Sequence, residues 1–327
     1  MSRKSKKLEE PFSPEQLERL EHKGDKEVQL QRQKEGIFQR YHARRDAQDI
    51  AKQVRWKRRA GVAIVIVTLV LLLLWIISWL MSTIGDLVIS VDRTAMKKGI
   101  SISQNEDGSD PSAKLSATMV KDVTNISYLW LPATLDIEAD GSHNGRNYLA
   151  YTFYLTNNGK ETLDYDSVLK SVRKAKDADE AIRVMVYRTR SEGSGEDKTF
   201  PENTSPQVYA KENRAKDENG DPQAFEKIYE KVIPDSYTKP TAEEIKAAEK
   251  ASQSKEEVDM TEEEIVIQPF VDEDVIFTSS VEGLEPGQTD RYTIVMWIEG
   301  DDPEAVDIIR GGFVKMNWFF NVEGEEL

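Results

Sequence analysis

A run of 25 residues without a charged side chain, GVAIVIVTLVLLLLWIISWLMSTIG, constrains this chain more than any other feature. No charge lies between Arg59 and Asp86, and residues 62–81 contain 14 Val, Ile or Leu. Twenty helical residues span about 30 Å, the thickness of a bilayer's hydrocarbon core. The run is too long for a signal peptide, and no small-residue cleavage motif follows it. We therefore predict an uncleaved transmembrane helix over residues 60–85.

The charges on either side of this run differ in sign. Residues 1–60 hold 17 Lys and Arg against 10 Asp and Glu, a net charge of +7, so the rest of the chain accounts for −22 of the total of −15. Residues 45–59 contain six Lys or Arg, and residues 86–100 contain three. The positive-inside rule then places the N-terminus in the cytoplasm and the C-terminal part outside the cell.

This orientation predicts the surroundings of each part. The span and its basic flank contact membrane lipid, because a polybasic segment is attracted to anionic headgroups. The acidic outer part would be repelled by nucleic acid, so no nucleic-acid partner is expected. The localisation is the cell membrane, with a single pass and an extracellular C-terminal domain.

Four segments follow from these observations. Residues 1–59 form a basic cytoplasmic arm, in which Ser13 is the expected N-cap of a helix that begins with Pro14. Residues 86–112 are either a stalk or a first strand. Residues 113–327 form the extracellular domain, with a charged insertion at about 190–262.

The extracellular domain has the composition of a mainly β fold. Short runs rich in Val, Ile, Thr, Tyr and Phe alternate with turn residues, and no βαβ alternation is present. We predict an antiparallel β-sandwich of the jelly-roll or immunoglobulin type. The insertion is expected to be partly helical, since Thr241 and Glu244 have capping-box spacing. The run AFEKIYEKVI is a second candidate helix. The expected strands are AKLSATMVKDV, ATLDIEA, RNYLAYTFYLTN, AIRVMVYRTR, DVIFTSSV, DRYTIVMWIE and FVKMNWFFNV.

The residue types of the common hydrolytic mechanisms are scarce in this chain. Cysteine is absent, which excludes disulfides and thiolate chemistry, and the three histidines are His22, His42 and His143. A histidine-based triad outside the membrane would require His143, yet no G-x-S-x-G or H-E-x-x-H accompanies it. We expect a non-enzymatic protein with no catalytic residues and no cofactor.

Calcium ligands need only oxygen atoms, so acidic loops were compared with the EF-hand pattern. Asp217, Asn219 and Asp221 have the alternate spacing of the first three EF-hand ligands. However, Pro222 stands where the loop requires glycine, and Ile228 stands where it requires the final Glu. The loop at residues 105–110 likewise has Asp110 where glycine is needed.

One acidic segment, EGDDPEAVDIIRGG, remains a candidate metal site. Asp301, Asp302 and Asp307 are weak candidate ligands for a cation. The alternative is a solvated connection between two strands, in which Asp302 caps a short turn begun by Pro303. We favour the solvated connection and expect removal of Asp301 and Asp302 to change stability little.

Three stretches carry a resemblance to known proteins: NYLAYTFYLTNNGKETLDYDSVL, DEAIRVMVYR and TIVMWIEGDDPEAVDIIRGGFVKMNW. Together they resemble the outer domain of largely uncharacterised single-pass envelope proteins of Gram-positive bacteria. TFYLTNNG and GG-x-VKMNW are similar to the camelysin/TasA-type surface β-sandwich, over residues 110–190 and 265–325. The resemblance implies the sandwich fold and a surface setting. Metal-dependent protease activity, described for camelysin-type proteins, is not carried over because the ligand motif is missing.

Two functions are compatible with these predictions. The first is a membrane-anchored cell-envelope protein that displays a non-catalytic β-sandwich for protein or cell-wall interaction, including surface-structure assembly. The alternative is a transmembrane sensor or regulator that couples an outer signal to a cytoplasmic partner through the basic arm.

Overall fold

A computed structural model of the chain describes residues 13–83, 87–117, 120–201, 204–251 and 259–322. The chain divides into two compact units, which meet in sequence between Met81 and Ser82. The first unit contains nearly all of one long helix, α1 (Pro14–Thr83), which begins at the predicted residue and continues without a break to Thr83. Within α1, the segment Arg59–Ile76 has a mean hydropathy of 2.6 and is not buried. Among the described residues it is the one helix long and apolar enough to cross a membrane.

The second unit is mainly β, as predicted. Its two short helices are α2 (Arg93–Lys98) and α3 (Ala242–Ala248), and three 3₁₀ turns cover Tyr128–Trp130, Gly195–Asp197 and Asp307–Ile309. The strands that the structure describes are β1 (Leu87–Val91), β2 (Ile100–Ser103), β3 (Lys114–Ser116), β4 (Gly141–Ser142), β5 (Tyr148–Asn157), β6 (Leu163–Ala175), β7 (Ile182–Arg190), β8 (Gln207–Ala210), β9 (Ile228–Lys231), β10 (Met260–Ile265), β11 (Ile267–Pro269), β12 (Val275–Leu284), β13 (Thr289–Ile298) and β14 (Phe313–Val322).

These strands form two large sheets and one hairpin-like pair. The first sheet has the order β12-β6-β14-β1-β3, the second has the order β11-β8-β7-β13-β5-β2 with β4 beside β5, and β10 pairs with β9. Two neighbouring pairs, β1 with β14 and β8 with β11, are parallel. The prediction of a purely antiparallel fold was therefore wrong. Parallel neighbouring strands need long connections, which are usually helical crossovers. In this chain the connections are not of the βαβ type, so the sequence contained no sign of parallel pairing.

The two large sheets share one apolar core. The Phe153 ring of the second sheet lies 5.3 Å from Tyr292 in the same sheet and 5.3 Å from Trp318 of the first sheet, measured between ring centroids. Trp318 is fully buried, and Phe320 beside it is 1% exposed. The chain passes from one sheet to the other between β5 and β6, and again from β12 to β13 to β14. Burial of these aromatic side chains is the largest stabilising contribution to the unit.

A second apolar cluster lies on the other face of the second sheet. Met185, Tyr187 and Trp297 of that face are buried, and Ile228 of β9 and Ile265 of β10 belong to the same cluster. The polar stretch 190–262 is thus more than an insertion, because it supplies sheet strand β8 and the covering strand β9. The α3 helix has the predicted capping box between Thr241 and Glu244.

Strand β1 lies in a sheet, so of the two alternatives for residues 86–112 the structure has the first strand. Three local predictions were wrong for identifiable reasons. The run AFEKIYEKVI contains β9 where a helix was expected, since its tertiary partner β10 overrides its helix propensity. ATLDIEA forms turns, and the 13-residue β6 was overlooked because charged residues interrupt its apolar positions.

Candidate functional site

The acidic segment after β13 begins with a fully buried carboxylate. Glu299 is 0% exposed, and its Oε2 accepts hydrogen bonds from the Tyr128 backbone N–H at 3.0 Å and from the Trp297 Nε1–H at 2.9 Å. Its Oε1 accepts from the Asp301 backbone N–H at 3.2 Å. Burial raises the pKa of Glu299, and these hydrogen bonds oppose the shift. Glu299 therefore joins the end of β13 to the 3₁₀ turn at Tyr128.

The side chain of Asp302 is also buried and forms an ion pair. Its Oδ2 lies 2.7 Å from Nη1 of Arg183, and both side chains are 0% exposed. Arg183 also donates through Nε and Nη2 to the two carboxylate oxygens of Glu226, at 2.8 and 2.7 Å. Burial raises the pKa of Asp302, and the Arg183 guanidinium opposes that shift. These three residues fasten β7, the acidic turn and the segment before β9 to one another.

The predicted cation ligands do not come together. Asp301 is exposed and accepts from the Ser127 hydroxyl at 3.3 Å, and Asp307 is exposed and pairs with Arg310 at 3.2 Å. Within the described ranges no group of three acidic or histidine side chains is arranged to hold a metal ion. The prediction of a solvated connection was correct for Asp301 and Asp307 but wrong for Asp302, because that carboxylate is the counterion of a buried arginine.

Asp302 does cap the turn that follows it. Its Oδ1 accepts from the Glu304 backbone N–H at 2.7 Å, as expected for a capping Asp before Pro303. From these contacts we now expect loss of Asp302 to lower stability, in contrast to the small effect expected from the sequence. A sequence signal existed for its partner: Arg183 is a charged residue inside the otherwise apolar run AIRVMV, and charges are rarely fully buried unless paired.

A lysine was missed by the sequence reasoning and lies beside this region. Lys231, at the end of β9, donates through Nζ to the backbone carbonyl oxygen of Tyr128 at 2.7 Å and to that of Leu131. The same ammonium is 4.3 Å from the centroid of the Tyr128 ring. Burial lowers the pKa of Lys231 to about 7, and the Glu299 carboxylate opposes the shift.

Lys231 lines an open cavity of about 320 Å³ between the covering strand β9 and the second sheet. A buried lysine with a lowered pKa is the residue type used for Schiff-base chemistry. Here, however, its N–H groups are directed at the carbonyl oxygens of Tyr128, the first residue of the 3₁₀ turn, and of Leu131, the residue that follows the turn. The Tyr128 ring also favours the charged ammonium. We interpret Lys231 as a clamp between β9 and that turn.

His143, the one histidine of the β unit, is 2% exposed. Its Nδ1 lies 3.0 Å from the Gly141 carbonyl oxygen and its Nε2 lies 3.1 Å from that of Leu135. Burial lowers the pKa of His143. A backbone carbonyl oxygen thus lies beside each ring nitrogen, and the single N–H of a neutral imidazole donates to one of the two.

We expect a pH-dependent stability difference at Glu138, whose Oε2 is buried and has no hydrogen-bond partner among the described residues. Burial raises the pKa of Glu138 from 4.5 to about 7. The folded state therefore keeps this proton up to a higher pH than the unfolded chain does. The stabilisation that results is complete below the pKa of 4.5 in the unfolded chain, and it is lost as the pH rises through the folded-state pKa of about 7. Replacement of Glu138 by Gln should increase the free energy of unfolding by about 2 kcal/mol at about pH 8.5 and change it little at about pH 4.

Thermal unfolding of Glu138→Gln and of the parent protein, between about pH 4 and about pH 8.5, measures the effect. Lys160→Gln, at an exposed site, is the control and should show no pH-dependent difference. A constant difference between Glu138→Gln and the parent protein at every pH would contradict the burial of a protonated carboxyl group.

Comparisons with known proteins add no assignment to this geometry. No protein-family description, no curated protein and no solved structure matches the chain.

Proposed function

We propose that this protein is a membrane-anchored cell-envelope protein that displays a non-catalytic β-sandwich for interaction with proteins or the cell wall. The observation that carries the proposal is the apolar segment Arg59–Ile76 of α1, whose side chains are solvent-exposed, in a chain whose residues from Ser82 onward form a second compact unit that is mainly β. A soluble protein does not leave such a segment in water, since the cost of exposing it is large.

The tryptophans of α1 support a transmembrane position. Trp56 is 72% exposed at the basic end and Trp75 is 68% exposed near the other end, with Trp79 one turn beyond it. Trp56 and Trp79 are separated by about 34 Å at 1.5 Å per helical residue, slightly more than the hydrocarbon core. Tryptophans are enriched at both interfaces of a bilayer.

The contacts of the charged residues in the β unit support an interaction role. Two sheets with one shared core are the arrangement of a β-sandwich. The buried charges Glu299, Asp302, Arg183 and Lys231 all bind neighbouring parts of the chain. A rigid scaffold stabilised in this way suits the display of loops and edge strands to a partner.

Cysteine labelling tests the topology directly, because the natural chain has no cysteine that would react. Lys26 on α1 and Lys160 in the β unit are both exposed, so each is replaced by Cys in turn. With a membrane-impermeant maleimide, Lys160→Cys should be labelled on intact cells and Lys26→Cys only after permeabilisation. The reverse pattern, or protection of both sites in intact cells, would refute the outward display of the β unit.

A further inference from the structure

A cavity between the two large sheets contains polar groups that the shared core does not require. It measures about 340 Å³ and lies where β12 and β8 form the open side of the two-sheet arrangement. Arg188 of β7 follows Val184 and Val186 at every second position, and those two residues belong to the shared core. Arg188 thus occupies an inward-facing position of the strand, since side chains alternate between the two faces.

Two of the residues that line this cavity each have a buried polar atom with no hydrogen-bond partner among the described residues. They are Nε1 of Trp318, whose side chain is 0% exposed, and Oγ of Ser167, which is 1% exposed. An indole N–H can only donate, and a hydroxyl donates one hydrogen bond. Buried polar groups are nearly always paired with protein or with a bound molecule, so these two donors indicate an acceptor inside the cavity.

Among the described residues that line the cavity, Arg188 is the one with a charged side chain. Asp290 is fully buried and is held by Arg190 through Nε at 2.9 Å and Nη2 at 3.0 Å. The Tyr165 hydroxyl also donates to Asp290. Arg188 is 3.8 Å from the same carboxylate, and its side chain is 43% exposed. Because Arg190 already neutralises Asp290, the Arg188 guanidinium is available to a ligand that enters from the open side.

We propose that this cavity binds the carboxylate group of a small ligand. The donors are the Arg188 guanidinium, the Trp318 indole N–H and the Ser167 hydroxyl, and the aromatic rings of Phe277 and Tyr292 line the space beside them. Arginine matches the planar geometry of a carboxylate, and a single positive unit suits a monoanion. The volume is that of a site for a small molecule. This proposal is independent of the membrane orientation of the protein.

The test uses the full-length protein in detergent micelles, labelled with ¹⁵N-tryptophan. The probes are benzoate and its neutral isostere benzamide, with inorganic phosphate and glucose as representatives of other ligand classes. The indole resonance of Trp318 is identified by its loss in Trp318→Phe. We expect benzoate to move this resonance saturably, whereas benzamide, phosphate and glucose leave it in place.

Two variants assign the donors. Arg188→Gln should weaken benzoate binding about tenfold or more, because a charged hydrogen-bond donor is lost. Ser167→Ala should weaken it severalfold, and both variants should keep the thermal stability of the parent protein. Arg310→Gln is the matched control, since Arg310 is exposed, pairs with Asp307 and does not line the cavity, and it should bind benzoate normally.

Four results would overturn the proposal. An unchanged Trp318 resonance at saturating benzoate would mean that the cavity holds only water. An equal response to benzamide would remove the role of the negative charge, and a response to phosphate or glucose alone would assign a different ligand class. Equal benzoate affinity in Arg188→Gln and the parent protein would exclude Arg188 as the carboxylate-binding residue.

Discussion

Replacement of Arg183 by methionine should lower the free energy of unfolding of the β unit by about 3–5 kcal/mol. The guanidinium is completely buried and is shared by Asp302 and Glu226, whose side chains are 0% and 19% exposed. Methionine fills much of the same volume but leaves both carboxylates without a counterion. Chemical denaturation of the full-length protein in micelles, followed by near-ultraviolet circular dichroism, measures the loss.

Two further variants separate charge from packing in this prediction. Arg310→Met removes an arginine of an exposed pair with Asp307, and it should leave the denaturation midpoint unchanged. The triple variant Arg183→Met, Asp302→Asn, Glu226→Gln removes all three charges and should recover a large part of the lost stability. If the triple variant were as unstable as Arg183→Met alone, the loss would come from packing and the ion-pair explanation would be wrong.

Replacement of Glu299 by alanine should lower the free energy of unfolding by about 3 kcal/mol. The change leaves the Tyr128 backbone N–H and the Trp297 Nε1–H without their acceptor in a buried environment. Each unsatisfied buried donor costs about 1–3 kcal/mol, and the cavity left by the side chain adds to this. Glu299→Gln should lose less, because its amide oxygen remains an acceptor.

The neighbouring Asp301 provides the matched control. Asp301→Ala removes an exposed carboxylate two residues away and should unfold at the same denaturant concentration as the parent protein. Near-ultraviolet circular dichroism of Trp297 should change in Glu299→Ala and stay the same in Asp301→Ala. Equal destabilisation by the two alanine variants would mean that the acidic segment acts through its total charge instead of through individual hydrogen bonds.

Three of the strands that were predicted correctly share a clear physical pattern. β5, β7 and β13 are long, rich in β-branched and aromatic residues, and buried on both faces for most of their length. Such near-continuous apolar runs are visible in any sequence. β6 was overlooked because its outward positions include Asp164, Asp166 and Lys170, which lie at an exposed or partly exposed face.

The candidate site was likewise predicted only in part from the sequence. Composition alone identified the acidic segment 299–307, but it assigned one environment to all of its carboxylates. The structure separates them, since Asp301 and Asp307 are exposed while Glu299 and Asp302 are buried. That difference arises from Arg183 and Tyr128, which are more than 100 residues away in the sequence, and no local pattern contains their positions.

The sequence by itself determined the properties that depend on summed local composition: an apolar segment long enough for a bilayer, the charge difference across it, and the mainly β character of the remainder. Hydrophobicity and strand propensity accumulate along the chain, so they can be read without knowledge of contacts. Only the tertiary structure decided which strands pair in parallel, which acceptors Lys231 and Arg183 bind, and which polar residues line the cavity between the sheets. Those properties depend on spatial distances between residues that are far apart in the sequence. Strands that are remote in sequence bury a charged side chain or leave it exposed, and this determines whether the charge is solvated, paired or available to a ligand.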